Sequence, residues 1–268
     1  MRATILIARH VFKDSVRDKV LYAIVAFAVV LMATSYLIGQ LTAGQDVKII
    51  KDLGLAAMSL FGLFIAIFIG IGLVAREIDR RSIYAVLAKP VRRSAFVTGK
   101  YLGLVATVFV NLAVMAVAYF AVLALMARAL PASALSAEPP PTDPRLLIAI
   151  VMIGAELALV TAVALFCSTF SSSALLSAGL TLGVWIVGQF GSDLKDLGTV
   201  VDSPAVATIG RWLYYLLPNF AAFDVKSAAV HGLPISPADV AWTLSYASVY
   251  IALLVVASVV VFSRRDFK

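Results

Sequence analysis

The sequence predicts an all-α integral membrane protein: six transmembrane helices, an N-terminal interfacial elbow helix, and a re-entrant or interfacial external segment before the last helix. Three observations lead there. Of 268 residues, 62% are hydrophobic and 14% charged, whereas soluble domains carry about 45–50% apolar and about 25% charged residues. Several uncharged runs reach the ~20 residues that a helix needs to cross a bilayer, and one soluble core could not hide them all. Finally, Lys and Arg gather in alternate connections between those runs, as they do on the cytoplasmic side of membrane proteins.

Residues 1–19 come first. Ile5, Phe12, Val16 and Val20 fall on roughly one side of a helix, while Arg2, Arg9, Lys13, Arg17 and Lys19 can snorkel to anionic headgroups. An interfacial helix follows from that pattern; because Arg9 interrupts the stripe, a cytoplasmic extension of the first span is the other reading. Charged and apolar residues alternate up to Lys19, unlike the apolar core and cleavage site of a secretory signal.

The spans are placed at about 20–41, 53–75, 101–127, 146–167, 174–192 and 240–263, within a single transmembrane domain over 1–268. Charges bound the first three: Lys19 and Asp46, Asp52 and Arg76, Lys100 and Arg128. The fourth and fifth come from one long apolar stretch, divided by Ser168, Thr169, Ser171, Ser172 and Ser173. Between the third and fourth, Pro131 and the prolines at 139, 140 and 141 predict an extended external spacer. Residues 205–223 tempt a further span but contain Arg211 and Pro218, so they read as interfacial or re-entrant. Trp212, Tyr214, Tyr215 and Phe220 in the external segment 193–239 suit anchoring at headgroup level, with a gate or extracytoplasmic partner site as the alternative.

Sidedness follows from the basic residues. The N-terminus, the connection 76–100 and the C-terminus hold fifteen of the twenty-two Lys and Arg, which places all three in the cytoplasm. A seventh span would put Arg264 and Arg265 outside.

Connection 76–100 mixes Glu77, Asp79, Arg80, Arg81, Lys89, Arg92 and Arg93 with Ile78, Ile83, Tyr84 and Leu87, a composition suited to docking another protein. Pro90 lacks a backbone donor and disfavours helical geometry at Lys89, so a short helix should stop there. Glu77, the step Arg81-Ser82-Ile83, Leu87, Lys89-Pro90, Arg93 and Gly99-Lys100 resemble the cytoplasmic loop of ABC-2-type transporter permeases, the membrane subunits of type V-like ABC exporters. Leu216-Leu217-Pro218-Asn219-Phe220 and the terminal Phe262-Ser263-Arg264-Arg265-Asp266-Phe267 extend the resemblance over nearly the whole chain.

The resemblance implies a permease whose cytoplasmic coupling helix, within 77–93, receives force from a separate ATP-binding subunit, with Ser171 and Ser172 as a lesser contact. It further implies ATP and Mg on that partner, and a second permease copy or paralogue, two permeases with two ATPases. Membrane lipids and an extracytoplasmic accessory protein complete the expected partners, in a cell inner (plasma) membrane and without nucleic acid. A phosphate loop needs Gly-x-x-x-x-Gly-Lys and then Ser or Thr. Here Gly99-Lys100 is followed by Tyr101, and Ser94 stands where the first glycine belongs, so no cofactor is expected on this chain.

Within the spans, Glu156 is the costly residue, and a substrate or proton role competes with hydrogen bonding between helices, for instance to Asn111 or Gln189. Gly179 and Gly183 form a Gly-x-x-x-Gly pair that permits close helix packing, in a dimer or within one chain. Cys167 is the single cysteine, and His10 and His231, the only histidines, lie in polar segments, so no catalytic or metal cluster is proposed. A stand-alone secondary transporter is the closer rival function and an intramembrane enzyme the more distant one.

Overall fold

The computed structural model describes residues 2–40, 46–79, 92–129, 140–171, 173–191 and 204–264. They form α1 (Arg2–Val16), α2 (Lys19–Gln40), α3 (Asp46–Asp79), α4 (Arg93–Ala129), α5 (Arg145–Phe170), α6 (Ala174–Gln189), α7 (Pro204–Leu216), a 3-10 turn (Ala221–Phe223), α8 (Lys226–Val230) and α9 (Pro237–Arg264). No strand occurs among the described residues. Among the described residues, four helices are long and apolar enough to cross a membrane, within α3, α4, α5 and α9. The 22-residue α2 is about 33 Å long, whereas the 16-residue α6 covers only about 24 Å and falls short of a hydrocarbon core of about 30 Å.

Helix α5 is the hub. It packs against α3, α4, α6, α8 and α9 and is buried almost throughout, as its all-round apolar sequence requires. Small residues on α3 set the approach: Gly54 faces the Tyr119 ring, Gly62 the Leu157 side chain and Gly70 the Ala164 methyl. The eight-residue spacing returns these glycines to neighbouring faces about every two turns, so α4 and α5 lie close to the α3 backbone. In α9, by contrast, only Ala247 and Ser258 are buried.

A break at Arg17 and Asp18 separates α1 from α2, and α1 lies against the start of α4. A Cβ on Gly99 would meet the Thr4 carbonyl oxygen at 2.7 Å, and one on Gly103 the Ala8 carbonyl oxygen at 2.6 Å. The side chains met there are Ile7 and Val11, while Ile5 and Leu6 are exposed. The packed face of α1 is thus offset from the stripe expected through Ile5 and Phe12, because close approach selects residues opposite the glycines rather than the bulkiest ones.

The helix ends sort into two groups. At one end Arg93 of α4 bonds the last carbonyls of α9. At the opposite end the Lys51 ammonium donates to the Pro140 carbonyl at 3.0 Å, and Arg145 donates to the Gly232 carbonyl at 2.7 Å. Gly232 has φ of 69°, a left-handed turn open to glycine at little cost.

Gly103→Val should separate α1 from α4 and destabilise the purified protein by about 1–3 kcal/mol, read as a lower melting temperature. Gly183→Val should leave the melting temperature of a single chain unchanged, since nothing lies within 4 Å of a Cβ there.

Candidate functional site

The candidate coupling residues divide at the end of α3. Glu77, Ile78 and Asp79 continue that helix to its last residue. Arg80, Arg81, Ile83, Tyr84, Leu87 and Lys89 lie outside the described residues, as does Ser172. Arg92 is exposed immediately before α4. Arg93, the first residue of α4, donates from Nη1 to the carbonyls of Ser263 at 2.8 Å and Phe262 at 3.3 Å. The last carbonyls of a helix have no partner within it and carry the negative end of its dipole, so a guanidinium there caps α9 in both senses. Phe96, one turn further along α4, stacks on Phe262 with ring centroids 5.6 Å apart, and the Lys100 ammonium lies 5.1 Å from the Phe96 ring centre. Arg93 therefore joins connection 76–100 to the last helix.

Ser171 is buried in the turn between α5 and α6. Its Oγ donates to the Ser173 carbonyl at 2.9 Å and accepts from the Ser173 amide at 3.2 Å. The hydroxyl holds the turn in shape, and only the connection's outer surface remains for contacts.

Glu156 sits about 16 Å along α5 from Arg145 and is 4% exposed. Its Oε1 accepts from Trp185 Nε1 at 2.9 Å and Gln189 Nε2 at 3.0 Å, both on α6. Asn111 instead donates to the Thr107 carbonyl of its own helix at 2.7 Å. Of the two partners expected for Glu156, the structure brings up Gln189. Trp185, absent from the sequence-derived candidates, stands four residues before Gln189, and Ser177 and Thr181 precede it at the same interval, both buried. That period of four marks the α6 face turned to α5.

Above Glu156 the chain folds back into the bundle. Gly188, at the end of α6, gives its carbonyl to the Phe220 amide at 2.9 Å, and the Asn219 amide donates to the Tyr246 hydroxyl at 2.9 Å. Phe220, Phe223, Ala229 and Val230 are buried. Lys226 pairs with Asp224 at 3.6 Å and donates to Ser59 Oγ of α3 at 3.5 Å. A connector carrying Pro218 and Lys226 is thus inserted beside α3, α5 and α6.

Gly179 and Gly183 meet nothing within 4 Å. They face away from the rest of the described chain, with Leu175, Leu176, Leu180 and Ile186 exposed on the same short helix.

The family model for ABC-2 family transporter protein matches residues 5–267, which include both helix-end groups and the inserted connector. The chain belongs to the ABC-2 transporter family. It is therefore a multi-pass membrane protein and the permease component of an ABC transporter, a class that works with an ATP-binding subunit. No curated protein matches it.

Removing both donors from Glu156 with Trp185→Phe and Gln189→Leu should destabilise the permease by about 2–3 kcal/mol, because a buried acceptor is left unpaired. Adding Glu156→Leu should recover most of the loss, measured by thermal unfolding in detergent.

Proposed function

We propose that this permease forms the membrane pathway of an ABC exporter and couples it to ATP hydrolysis on a separate subunit. The reading rests on one convergence: the end of α3, the start of α4, the turn between α5 and α6 and the end of α9 are all candidates for the same face, the one with most of the basic residues. In this reading that face is cytoplasmic, the chain crosses an inner membrane six times, and both termini lie inside. The Arg93 cap supports the sidedness, since it ties connection 76–100 to the C-terminal end of α9.

Residues 77–93 form the main surface for the ATP-binding partner, with Ser171 and Ser172 beside it. The connection joins α3 to α4, so a push on it reaches α9 through Arg93 and α5 through the glycine contacts of α3. Two bound ATPases closing on ATP and Mg would shift the population between inward-facing and outward-facing arrangements. This chain supplies shape and force transmission, and the partner supplies the chemistry. A second permease copy or paralogue fits against the open Gly179 and Gly183 face of α6.

Glu156 serves helix packing in this scheme, because both its donors come from the adjacent helix. That separates the reading from a secondary transporter driven through a buried acid.

Co-expression of the tagged chain with the ATPase encoded beside it, followed by isolation in mild detergent, should yield a complex with ATP-dependent transport. If no ATPase copurifies and transport needs only an ion gradient, the proposal is wrong. Reversing Glu77 and Arg81 should impair assembly with the ATPase. Arg93→Ala should weaken coupling by about 0.5–2 kcal/mol, read as more ATP consumed per substrate moved.

A further inference from the structure

Between α7 and the outer half of α9 lies an open cavity of about 470 Å³, lined by Tyr214, Tyr215, Asn219, Trp242, Tyr246 and Tyr250 together with Ala222 and Thr243. Its volume is within the range of about 300–1,000 Å³ common to small-molecule sites. Five aromatic rings define it. Tyr214 and Tyr215 meet edge to face at 5.2 Å, and Tyr246 and Tyr250 lie 4.9 Å apart on the facing helix. The Tyr246 hydroxyl accepts the Asn219 amide, and the Tyr250 hydroxyl contacts the Tyr215 carbonyl at 3.5 Å. These contacts tie the walls together through the phenol edges. The Oδ1 of Asn219, packed against Gly191, is a buried acceptor without a hydrogen-bond partner among the described residues.

We propose that this cavity is a binding site for a quaternary ammonium group. Electron-rich ring faces attract a cation without any carboxylate, and no charged side chain among the described residues lines the cavity. Arg211 and Asp239, each three residues before a lining aromatic on its own helix, are of opposite sign. They leave selectivity to the rings. A primary ammonium would bring N–H donors needing several acceptors, which an aromatic wall supplies poorly. A quaternary ammonium has no donor to satisfy and spreads its charge over methyl groups that pack on the rings. Simple anchoring at the membrane interface accounts for single Trp and Tyr residues, but not for five rings converging on one cavity from two separate segments.

The site does not depend on the transport reading, since binding requires neither ATP nor a partner. The full chain in dodecyl maltoside, which contains no ammonium, is titrated with benzyltrimethylammonium, with benzylamine and with the neutral isostere neopentylbenzene, and saturable binding is measured by calorimetry. Benzyltrimethylammonium should bind at least about tenfold tighter than either analogue, given the strength of cation–π contacts. Trp242 and Tyr215 are 76% and 71% exposed, so Trp242→Leu with Tyr215→Leu should leave the melting temperature unchanged while removing about tenfold in affinity. Trp242→Phe with Tyr215→Phe should restore most of it. Equal binding of cation and isostere, or selectivity that survives the leucine pair, overturns the proposal. In phosphatidylglycerol nanodiscs, competition by added phosphatidylcholine assigns the site to a lipid headgroup, and lack of competition assigns it to a free organic cation; either result keeps the ammonium chemistry.

Discussion

The interior of a bilayer offers no hydrogen-bond partners, so each polar group placed there must find one in the protein. Much of this permease follows from that requirement. Thr107, Thr161, Thr181 and Ser258 return their hydroxyls to carbonyls four residues back. Tyr101 reaches across to the Ala158 carbonyl at 3.2 Å. The 16-residue helix α6 shows the same requirement at its end. Its freed end is met by the Phe220 amide, and its last turn delivers Trp185 and Gln189 to Glu156.

Residue order alone made the helical membrane class legible, because uncharged length is a one-dimensional property and the bilayer's thickness sets its scale. Of the elements bounded by charges in the sequence, α3 begins six residues before Asp52 and α4 seven residues before Lys100, and α3 runs three residues past Arg76. The overrun is physical: water ends the apolar requirement but does not end the helix. Ser171 and Ser173 marked the break between α5 and α6, and their hydroxyl and backbone contacts build it.

Pairing between helices was far less legible. Two Gly-x-x-x-Gly steps occur, at Gly99 and Gly103 and at Gly179 and Gly183. The first receives the backbone of α1 within a Cβ's reach and the second faces open space. Spacing states that a helix can be approached closely; it does not state by what. Asn111 and Gln189 were equal candidates for Glu156, and the choice between them depended on which helix α5 has as its neighbour. Arg93 counted as one more basic residue in a basic connection, and only the fold gives it the end of α9 as a partner.

That cap gives α9 the mechanics of a lever. The helix is 28 residues long, about 42 Å, and rests on α5 and α4 along one side, with only Ala247 and Ser258 fully buried. Arg93 and Phe96 grip its inner end, while Trp242, Tyr246 and Tyr250 ride on its outer half. A tilt of about 5° pivoting at the gripped end would carry Trp242, about 33 Å away, through about 3 Å, against the hold of the Tyr246 and Tyr250 hydroxyl contacts. A small rotation at the gripped end would thus be read out, amplified, at the aromatic cavity.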